Sequence, residues 1–381
     1  MPGTGENQLS AITAIPDRHF TAEQLAAARA VLDRVIGADN TRLAFVSGSL
    51  AAGLGHALSD VDLYVCAEPG IELTDHERRE GGHVVQINPI RPDELASLAA
   101  LTTEFTATPT DRWQVKLTDQ ELTPAVRYAI GTVLVDRDSG LPPQQQAWQT
   151  MRQVLMVTRA ITIATYAEDV YGALEVGDEL TALQTTNIAV GLAVECLLAG
   201  VGDLYVGQKF NLRRLARADA ARETLPTLWD ALRLPAAPGG LAETGRLVRS
   251  RLRLVNRLVT DVLLDGWDKP LERVPGYREP AEPAEPAESG ELGAGGGPLR
   301  SPWVLPVRFA ESWGMIGPDT GYRTKAGMVR LWRELDGRPV GELYRALAED
   351  PAFAGTSPEL LDAALAQLIE KGVAASGGDD D

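Results

Sequence analysis

The sequence has few residues that bind soft metals or form covalent cross-links. It holds two cysteines, Cys66 and Cys196, and four histidines in 381 residues. The cysteines have neither metal-ligand spacing nor a disulfide pattern, and the histidines form no cluster. A cysteine–histidine zinc site and a disulfide-stabilised secreted domain are therefore excluded, and two reduced thiols are typical of a cytoplasmic protein.

Long apolar segments are also missing. No uninterrupted run of about 18 apolar residues occurs, so we expect no transmembrane helix. Residues 1–20 lack a basic region followed by an apolar block, which is the pattern of a secretory signal. We therefore expect a cytoplasmic protein with no membrane partner.

Basic residues are outnumbered by acidic ones. The chain carries 36 lysines and arginines against 53 aspartates and glutamates, for a formal net charge of −17. Binding to nucleic acid depends on neutralising phosphates with basic side chains, so this balance argues against a nucleic-acid partner. It suits a cationic small substrate, although an acidic surface also serves solubility alone.

The N-terminal part of the chain predicts an α/β domain over residues 20–144. Residues 21–36 repeat apolar side chains at helical spacing behind Thr21, a residue type that caps helices. A second helix is predicted to begin at Pro92. Four short apolar segments have the composition of strands, at residues 42–47, 60–65, 83–90 and 131–138. These elements predict a mixed sheet flanked by helices.

The rest of the chain predicts two further domains. Residues 145–278 have mainly helical spacing, which predicts an α-helical bundle that serves as a substrate domain. Residues 279–300 contain three Glu-Pro-Ala repeats and a glycine-rich end, the composition of a linker. Residues 301–377 show three short amphipathic helices and predict a small winged-helix-like domain.

Two acidic residues are placed to bind a divalent metal. Asp60 and Asp62 are two apart at the start of a predicted strand, and residues i and i+2 of a strand face the same side. Their carboxylates should converge while Val61 and Leu63 point into the core. Mg²⁺ prefers such oxygen ligands and neutralises the charge of a triphosphate, so Mg²⁺ is the expected cofactor.

A phosphate loop is predicted just before this acid pair. Gly48 and Ser49 end the strand 42–47 and should lead into a helix, whose N-terminal amides favour anions. Glycine lets the backbone approach a phosphate closely, and Ser49 adds a hydroxyl donor.

The stretch Val46-Ser47-Gly48-Ser49, then ten residues, then Asp60-Val61-Asp62-Leu63 resembles the signature of the DNA polymerase β-like nucleotidyltransferases. Residues 131–140 and 204–215 look like segments of the small-molecule, aminoglycoside-type branch. The resemblance covers residues 20–266 and implies an α/β nucleotidyltransferase domain. By that match Lys209 is a phosphate ligand.

One position departs from the pattern of that family. The resemblance implies a third acid on the strand after Asp-x-Asp, but the corresponding residue is Gln86. An amide neither accepts a proton at neutral pH nor offers a metal a negative charge. The general base then comes from elsewhere, or activity is reduced, or the chain only binds nucleotide.

A kanamycin-type enzyme takes a glutamate base from its helical domain. The candidate bases in this chain lie near one helix–helix connection and are Glu168, Asp169, Glu175, Asp178 and Glu179. Asp178 and Glu179 are favoured because they begin the second long helix, and Glu179 is the residue chosen.

The C-terminal part resembles a second kind of module. The stretch from Leu331 to Leu343 (LWRELDGRPVGEL), followed by Leu365–Val373, is similar to the PqqD-like fold that holds leader peptides. That resemblance implies a peptide partner at this domain. Residues 301–381 have no basic patch, which disfavours DNA binding by a winged helix.

These observations predict an Mg²⁺-dependent enzyme that transfers AMP from ATP to a hydroxyl or similar group of a small molecule. An antibiotic or another natural product is the candidate acceptor, held between the α/β domain and the helical bundle. Two alternatives stay open. One is AMP transfer to a peptide or protein docked by the C-terminal domain, and the other is an inactive nucleotide-binding relative.

Overall fold

The structure is a computed structural model that describes residues 16–74, 76–233, 240–277 and 296–376. These residues form two compact units. The first consists of the described residues within Met1–Thr106, Trp113–Leu155 and Gly202–Arg217. The second consists of those within Ala107–Arg112, Met156–Val201 and Ala218–Asp381.

The first unit is built on a five-stranded mixed sheet with strand order β3-β4-β2-β1-β5. Strands β2 and β4 are parallel, and the other neighbours are antiparallel. The strands are β1 (Thr41–Ser47), β2 (Val61–Ala67), β3 (Glu77–Glu80), β4 (His83–Pro89) and β5 (Thr132–Asp136). Its helices are α1 (Ala22–Val35), α2 (Pro92–Thr103), α3 (Asp119–Ile130), the first part of α4 (Gln144–Glu175) and α6 (Asn211–Arg217). The predicted mixed α/β architecture is confirmed.

Helix α1 shows why these elements form where the sequence predicts them. Thr21 and Gln24 make a reciprocal capping box, with each side chain accepting a backbone N–H of the other residue. The buried face of α1 includes Val31 and Leu32 and packs on the sheet. In β2 the alternation of buried Val61 and Leu63 with half-buried Asp62 fixes which side chains face the core.

The segment after β1 differs from its prediction. Residues Gly48–Leu54 form hydrogen-bonded turns instead of a helix, with N–H groups of Ala52, Gly53 and Leu54 donating to the carbonyls of Gly48, Leu50 and Ser49. Gly53 adopts a φ of 73°, in the left-handed region. A right-handed helix cannot continue through that conformation.

Two elements of the first unit were not predicted. Helix α3 begins at a capping box between Thr118 and Glu121 and contains Pro124 in its interior. That proline, a residue that ordinarily ends helices, hides the helical pattern. Strand β3 consists of the charged residues Glu77–Glu80 at the sheet edge, so it has no apolar alternation to reveal it.

The second unit is mainly helical. It holds α4 from Met156 onward, α5 (Glu179–Gly200), α7 (Leu225–Ala231) and α8 (Leu241–Asp265). Helix α5 is long and apolar enough in composition to span a membrane, but 83% of its most apolar window is buried in the protein. A core helix has this burial.

The C-terminal segment belongs to the second unit. The three predicted helices are present as α9 (Ala326–Arg333), α10 (Val340–Glu349) and α11 (Pro358–Glu370). They follow an antiparallel sheet that was not predicted, made of β7 (Leu305–Arg308), β8 (Trp313–Gly317) and β9 (Thr320–Thr324). A two-stranded sheet pairs β6 (Leu299–Arg300) with β10 (Ala374–Ala375).

This division differs from the predicted domain boundaries 20–144, 145–278 and 301–377. Residues 202–217 group with the α/β elements. Arg213 and Arg217 donate hydrogen bonds to carbonyls of residues 52–54, and the ring of Tyr205 packs against Arg127. Residues 301–376 group with the helices because polar and charged side chains join them to α8. The predicted linker 279–300 lies outside the described residues up to residue 295.

Candidate functional site

The loop after β1 lies directly against Asp62. Strand pairing sets Ser47 opposite Asp62, which brings Gly48 beside that carboxylate. Gly48 is buried and has a φ of 91°. A Cβ atom at residue 48 would lie 1.9 Å from Oδ2 of Asp62. The predicted phosphate loop and one predicted metal ligand therefore meet at a contact that only glycine permits.

Asp60 and Asp62 form an electrostatically coupled pair. Asp60 is exposed and immediately precedes β2, and Asp62 is half-buried within it. Burial raises the pKa of Asp62 above its ordinary value, the charge of Arg127 lowers it, and the charge of Asp60 raises it again. Two like charges that act on each other in this way favour a bound cation.

Arg127 supplies a positive charge beside Asp62. It lies on α3, and its guanidinium carbon is 4.3 Å from the centre of the Tyr205 ring. Burial lowers the pKa of Arg127, but Tyr205, Tyr64 and Asp62 outweigh burial and raise it. The Nη1 atom of Arg127 is buried and has no hydrogen-bond partner among the described residues.

Gln86 occupies the position where a third acid was expected. Strands β2 and β4 are parallel and in register, with Asp62 paired to Gln86. Neighbours in such a register lie on the same face of a sheet. Within the described part of the chain, no three or more acidic, histidine or cysteine side chains group together as a metal site.

The loop offers backbone N–H groups to an anion. In the turns of Gly48–Leu54, the N–H groups of Ser49, Leu50 and Ala51 have no hydrogen-bond acceptor among the described residues. This arrangement is that of the first turn of a helix, whose leading amides are left without partners. Ser49 is half-buried and adjoins Gly48.

Lys209 lies in the same unit as the acid pair. It is exposed in a 3₁₀ turn, Gln208–Phe210, with its Nζ atom 5.0 Å from the centre of the Phe210 ring. Phe210 packs edge-on against Tyr205, with 5.6 Å between ring centres. Lys209 is thus linked through two rings to Arg127, and its role as a phosphate ligand stays a prediction.

Glu179 lies in the second unit, at the start of α5. Its Oε2 atom accepts a hydrogen bond of 2.7 Å from the Thr244 hydroxyl on α8. The preceding residue, Asp178, caps the helix by accepting from the backbone N–H of Thr181. These contacts tie helix ends together, and catalysis by Glu179 stays a prediction.

Three arginines of this region were not predicted from the sequence, namely Arg127 beside Asp62, and Arg213 and Arg217, which bind carbonyls of the loop. Arg213 lies within the stretch 204–215 that had been noted for its lysine. Arg127 lies on α3, where no helix was expected. The signal for Arg213 and Arg217 was their spacing of four residues, which puts them on one face of a short helix.

The residues present fit a divalent cation. Asp60 and Asp62 offer hard oxygen ligands with excess negative charge. Mg²⁺ commonly binds through one or two carboxylates together with substrate phosphates and water, so a third acid is not required. The amide oxygen of Gln86 lies on the adjacent strand.

Comparison with solved structures gives distant likenesses. The chain is similar to the crystal structure of a nucleotidyltransferase-like protein from Exiguobacterium sibiricum 255-15, with 13% sequence identity, coverage of 62% of this chain and 78% of that chain, and a TM-score of 0.30. No family model matches the chain. No curated protein matches it. Function is therefore inferred from the residues of the site.

Proposed function

We propose that this chain is an Mg²⁺-dependent nucleotidyltransferase that transfers AMP from ATP to a hydroxyl or similar group of a small molecule. The observation that carries the proposal is the contact between the Gly48 loop and Asp62, with Asp60 coupled to the same carboxylate. A loop with free amides next to Asp62, which is coupled to Asp60, suits a triphosphate bound together with a cation. An antibiotic or natural product is the proposed class of acceptor.

Different residues are proposed to bind the phosphates and the cation. The amides of Ser49 to Ala51 and the Ser49 hydroxyl are proposed to hold phosphate oxygens, and Lys209 to add a positive charge. Asp60 and Asp62 would hold Mg²⁺, which supplies charge neutralisation of the phosphates when it is bound. Arg127 favours the ionised form of Asp62 by opposing part of the effect of burial on its pKa.

The proposed reaction displaces pyrophosphate. The acceptor oxygen attacks the α-phosphorus of ATP, a new P–O bond forms to the acceptor, and the bond to the β-phosphate oxygen breaks. The proton of the acceptor hydroxyl must go to a base. Gln86 cannot take that proton, and Glu179 is the proposed base.

The test replaces each acid by its amide. Asp60→Asn and Asp62→Asn should each reduce AMP transfer from α-labelled ATP at least about 100-fold, because a neutral amide is a poor ligand for a hard cation. The exposed Asp33→Asn on α1 is a matched control in the same unit and should keep full activity. Full activity in both site variants would refute the proposal.

A second candidate function is nucleotide binding without transfer. The pairing of Gln86 with Asp62 favours it, because this position then holds no proton acceptor. Gln86→Glu should raise turnover if a third acid limits the chemistry. If Glu179 is the base, Gln86→Glu should change little and Glu179→Gln should slow transfer by roughly 10²–10⁴-fold. Binding of MgATP with no transfer by wild type or Gln86→Glu would favour the second function.

A further inference from the structure

Two arginines of α6 donate hydrogen bonds to backbone carbonyls of the loop that carries the free amides. Arg213 donates from Nη1 to the carbonyl oxygen of Leu54 at 3.0 Å and from Nη2 to that of Gly53 at 3.2 Å. Arg217 donates from Nη1 to the carbonyl oxygen of Ala52 at 2.8 Å. Three consecutive carbonyls of the turn are thus bound by guanidinium groups.

The two arginines are themselves fixed in place. Asp203 accepts from Arg217 at 2.7 Å and 3.0 Å and from Arg214 at 3.0 Å. Arg213 also donates to the carbonyl oxygen of Pro16 at 3.1 Å. The side chains of Asp203 and Arg217 are mostly buried, so water competes weakly for these hydrogen bonds.

A turn this short needs such support. Only three backbone hydrogen bonds close Gly48–Leu54, and an isolated helical turn is unfavourable because few bonds offset the ordering of its backbone. The carbonyls at its end are bound to arginines, while the amides at its beginning have no partner among the described residues. The carbonyl end of the turn is therefore bound within the protein, while its amide end is available to a ligand.

We propose that Arg213 and Arg217 are positioning residues that hold the carbonyls of Ala52 to Leu54 so that the amides of Ser49 to Ala51 stay arranged for the phosphates of a nucleotide. This inference rests on the proposed function for the identity of the ligand. Among the described residues, the hydrogen bonds and ion pairs of Arg213 and Arg217 go to the loop, to Pro16, to Asp17 and to Asp203, so the arginines act through the loop.

Two measurements test this proposal. Hydrogen exchange of residues 48–54 reports the order of the loop without any ligand, and calorimetric titration with MgATP reports phosphate binding. In Arg213→Ala and in Arg217→Ala, loop exchange should accelerate about 10-fold or more and MgATP affinity should fall about 10- to 100-fold. The exposed Arg222→Ala, whose side chain pairs with Asp219, should change neither.

The conservative variant separates positioning from charge. Arg217→Lys keeps the positive charge but cannot bind both Asp203 and Ala52 through a planar fork, so it should restore less than half of the lost affinity. Full rescue by lysine would overturn the positioning role. So would faster loop exchange with unchanged MgATP affinity.

Failure of the proposed function gives a different result. If the wild-type protein binds no MgATP, the proposed function fails, and loop exchange alone then decides whether the arginines order the turn. Unchanged exchange of residues 48–54 in both alanine variants, with the rest of the first unit intact, would overturn the positioning proposal whatever the ligand is.

Discussion

Three influences act on the pKa of Asp62. Burial and the charge of Asp60 disfavour its ionised form, and Arg127 favours it. The cation of Arg127 is in turn held by the ring of Tyr205 and by the charge of Asp62. Arg127 therefore offsets part of the effect of burial on the pKa of Asp62, which stays raised above that of an ordinary surface acid. Tyr205 belongs to the segment Gly202–Arg217, which also carries the loop-binding arginines.

The thiols give a prediction for the dependence of stability on pH. Burial raises the pKa of Cys196 to about 12, above the value of about 8.5 for an exposed thiol. The unfolded chain then releases this proton first, so stability conferred by the buried thiol is present below pH 8.5 and is lost as the pH rises toward 12. Between pH 8.5 and 10 the loss should be about 1–2 kcal/mol.

Urea unfolding of the wild type and of Cys196→Ala measures this effect. The difference in free energy of unfolding between the two proteins should narrow over that pH range. Cys66, whose pKa is also raised by burial, is unchanged in both proteins and cancels. A difference that stays constant from pH 8 to 10 would contradict the prediction.

At the scale of the element, the turn after β1 depends on glycine for two separate reasons. Residue 48 has a left-handed φ, and its position beside Asp62 has no room for a Cβ atom. Gly70 has nearly the same φ, 90°, but nothing lies within 4 Å of its Cβ position. A comparison of alanine substitutions at the two glycines therefore distinguishes the cost of backbone strain from the cost of a side-chain clash.

Gly48→Ala and Gly70→Ala should differ in both stability and binding. Gly70→Ala should cost about 1 kcal/mol from backbone strain alone. Gly48→Ala should cost about 2–4 kcal/mol, since overpacking against Asp62 adds to the same strain, and it should abolish MgATP binding. Thermal unfolding and titration with MgATP measure the two effects. Equal destabilisation by both variants would show that the contact with Asp62 is unimportant.

The elements near this site were predictable where apolar periodicity is strong. Helix α1 and strands β1, β2, β4 and β5 were predicted from local patterns and are confirmed within a few residues. The turn at Gly48-Ser49 was predicted, but the helix expected to follow it is absent, because Gly53 has a φ of 73° through which a right-handed helix cannot continue. The edge strand β3 has no local apolar signal.

The site itself was predictable only in part. The spacing of Gly48, Asp60 and Asp62 locates its loop and its acids in sequence. The contact of Asp62 with the loop and its register with Gln86 follow from strand pairing between distant segments. Arg213 and Arg217 act through backbone carbonyls, and no residue type in the loop marks such a contact beforehand.

At the scale of the whole molecule, the C-terminal segment is joined to α8, within the second unit, by several polar contacts. Asn256 on α8 donates to the carbonyl oxygen of Pro302 at 2.9 Å, and Arg308 donates to that of Leu263 at 3.2 Å. Arg333 forms an ion pair of 2.7 Å with Asp265. Such a segment should not behave as an independent domain.

Limited proteolysis tests this integration. A glutamate-specific protease should cut first after Glu288 or Glu291. Neither of these residues is followed by proline, whereas the earlier glutamates of this segment precede proline and resist cleavage. The C-terminal fragment should nevertheless co-elute with the remainder in gel filtration and separate only in denaturant. Arg330 forms a second ion pair with Asp265, of 2.9 Å. The double variant Arg330→Ala/Arg333→Ala should weaken this association, and release of the wild-type fragment without denaturant would contradict it.

The register between Asp62 and Gln86 has a consequence for the genetics of this chain. Either glutamine codon becomes a glutamate codon through a change of its first base, so a gene for the three-acid sheet is one point mutation away. A library of random single-base changes already contains it. Selection for transfer activity from such a library would enrich glutamate at residue 86 if the glutamine limits the chemistry. It would retain glutamine if the chemistry depends on the amide.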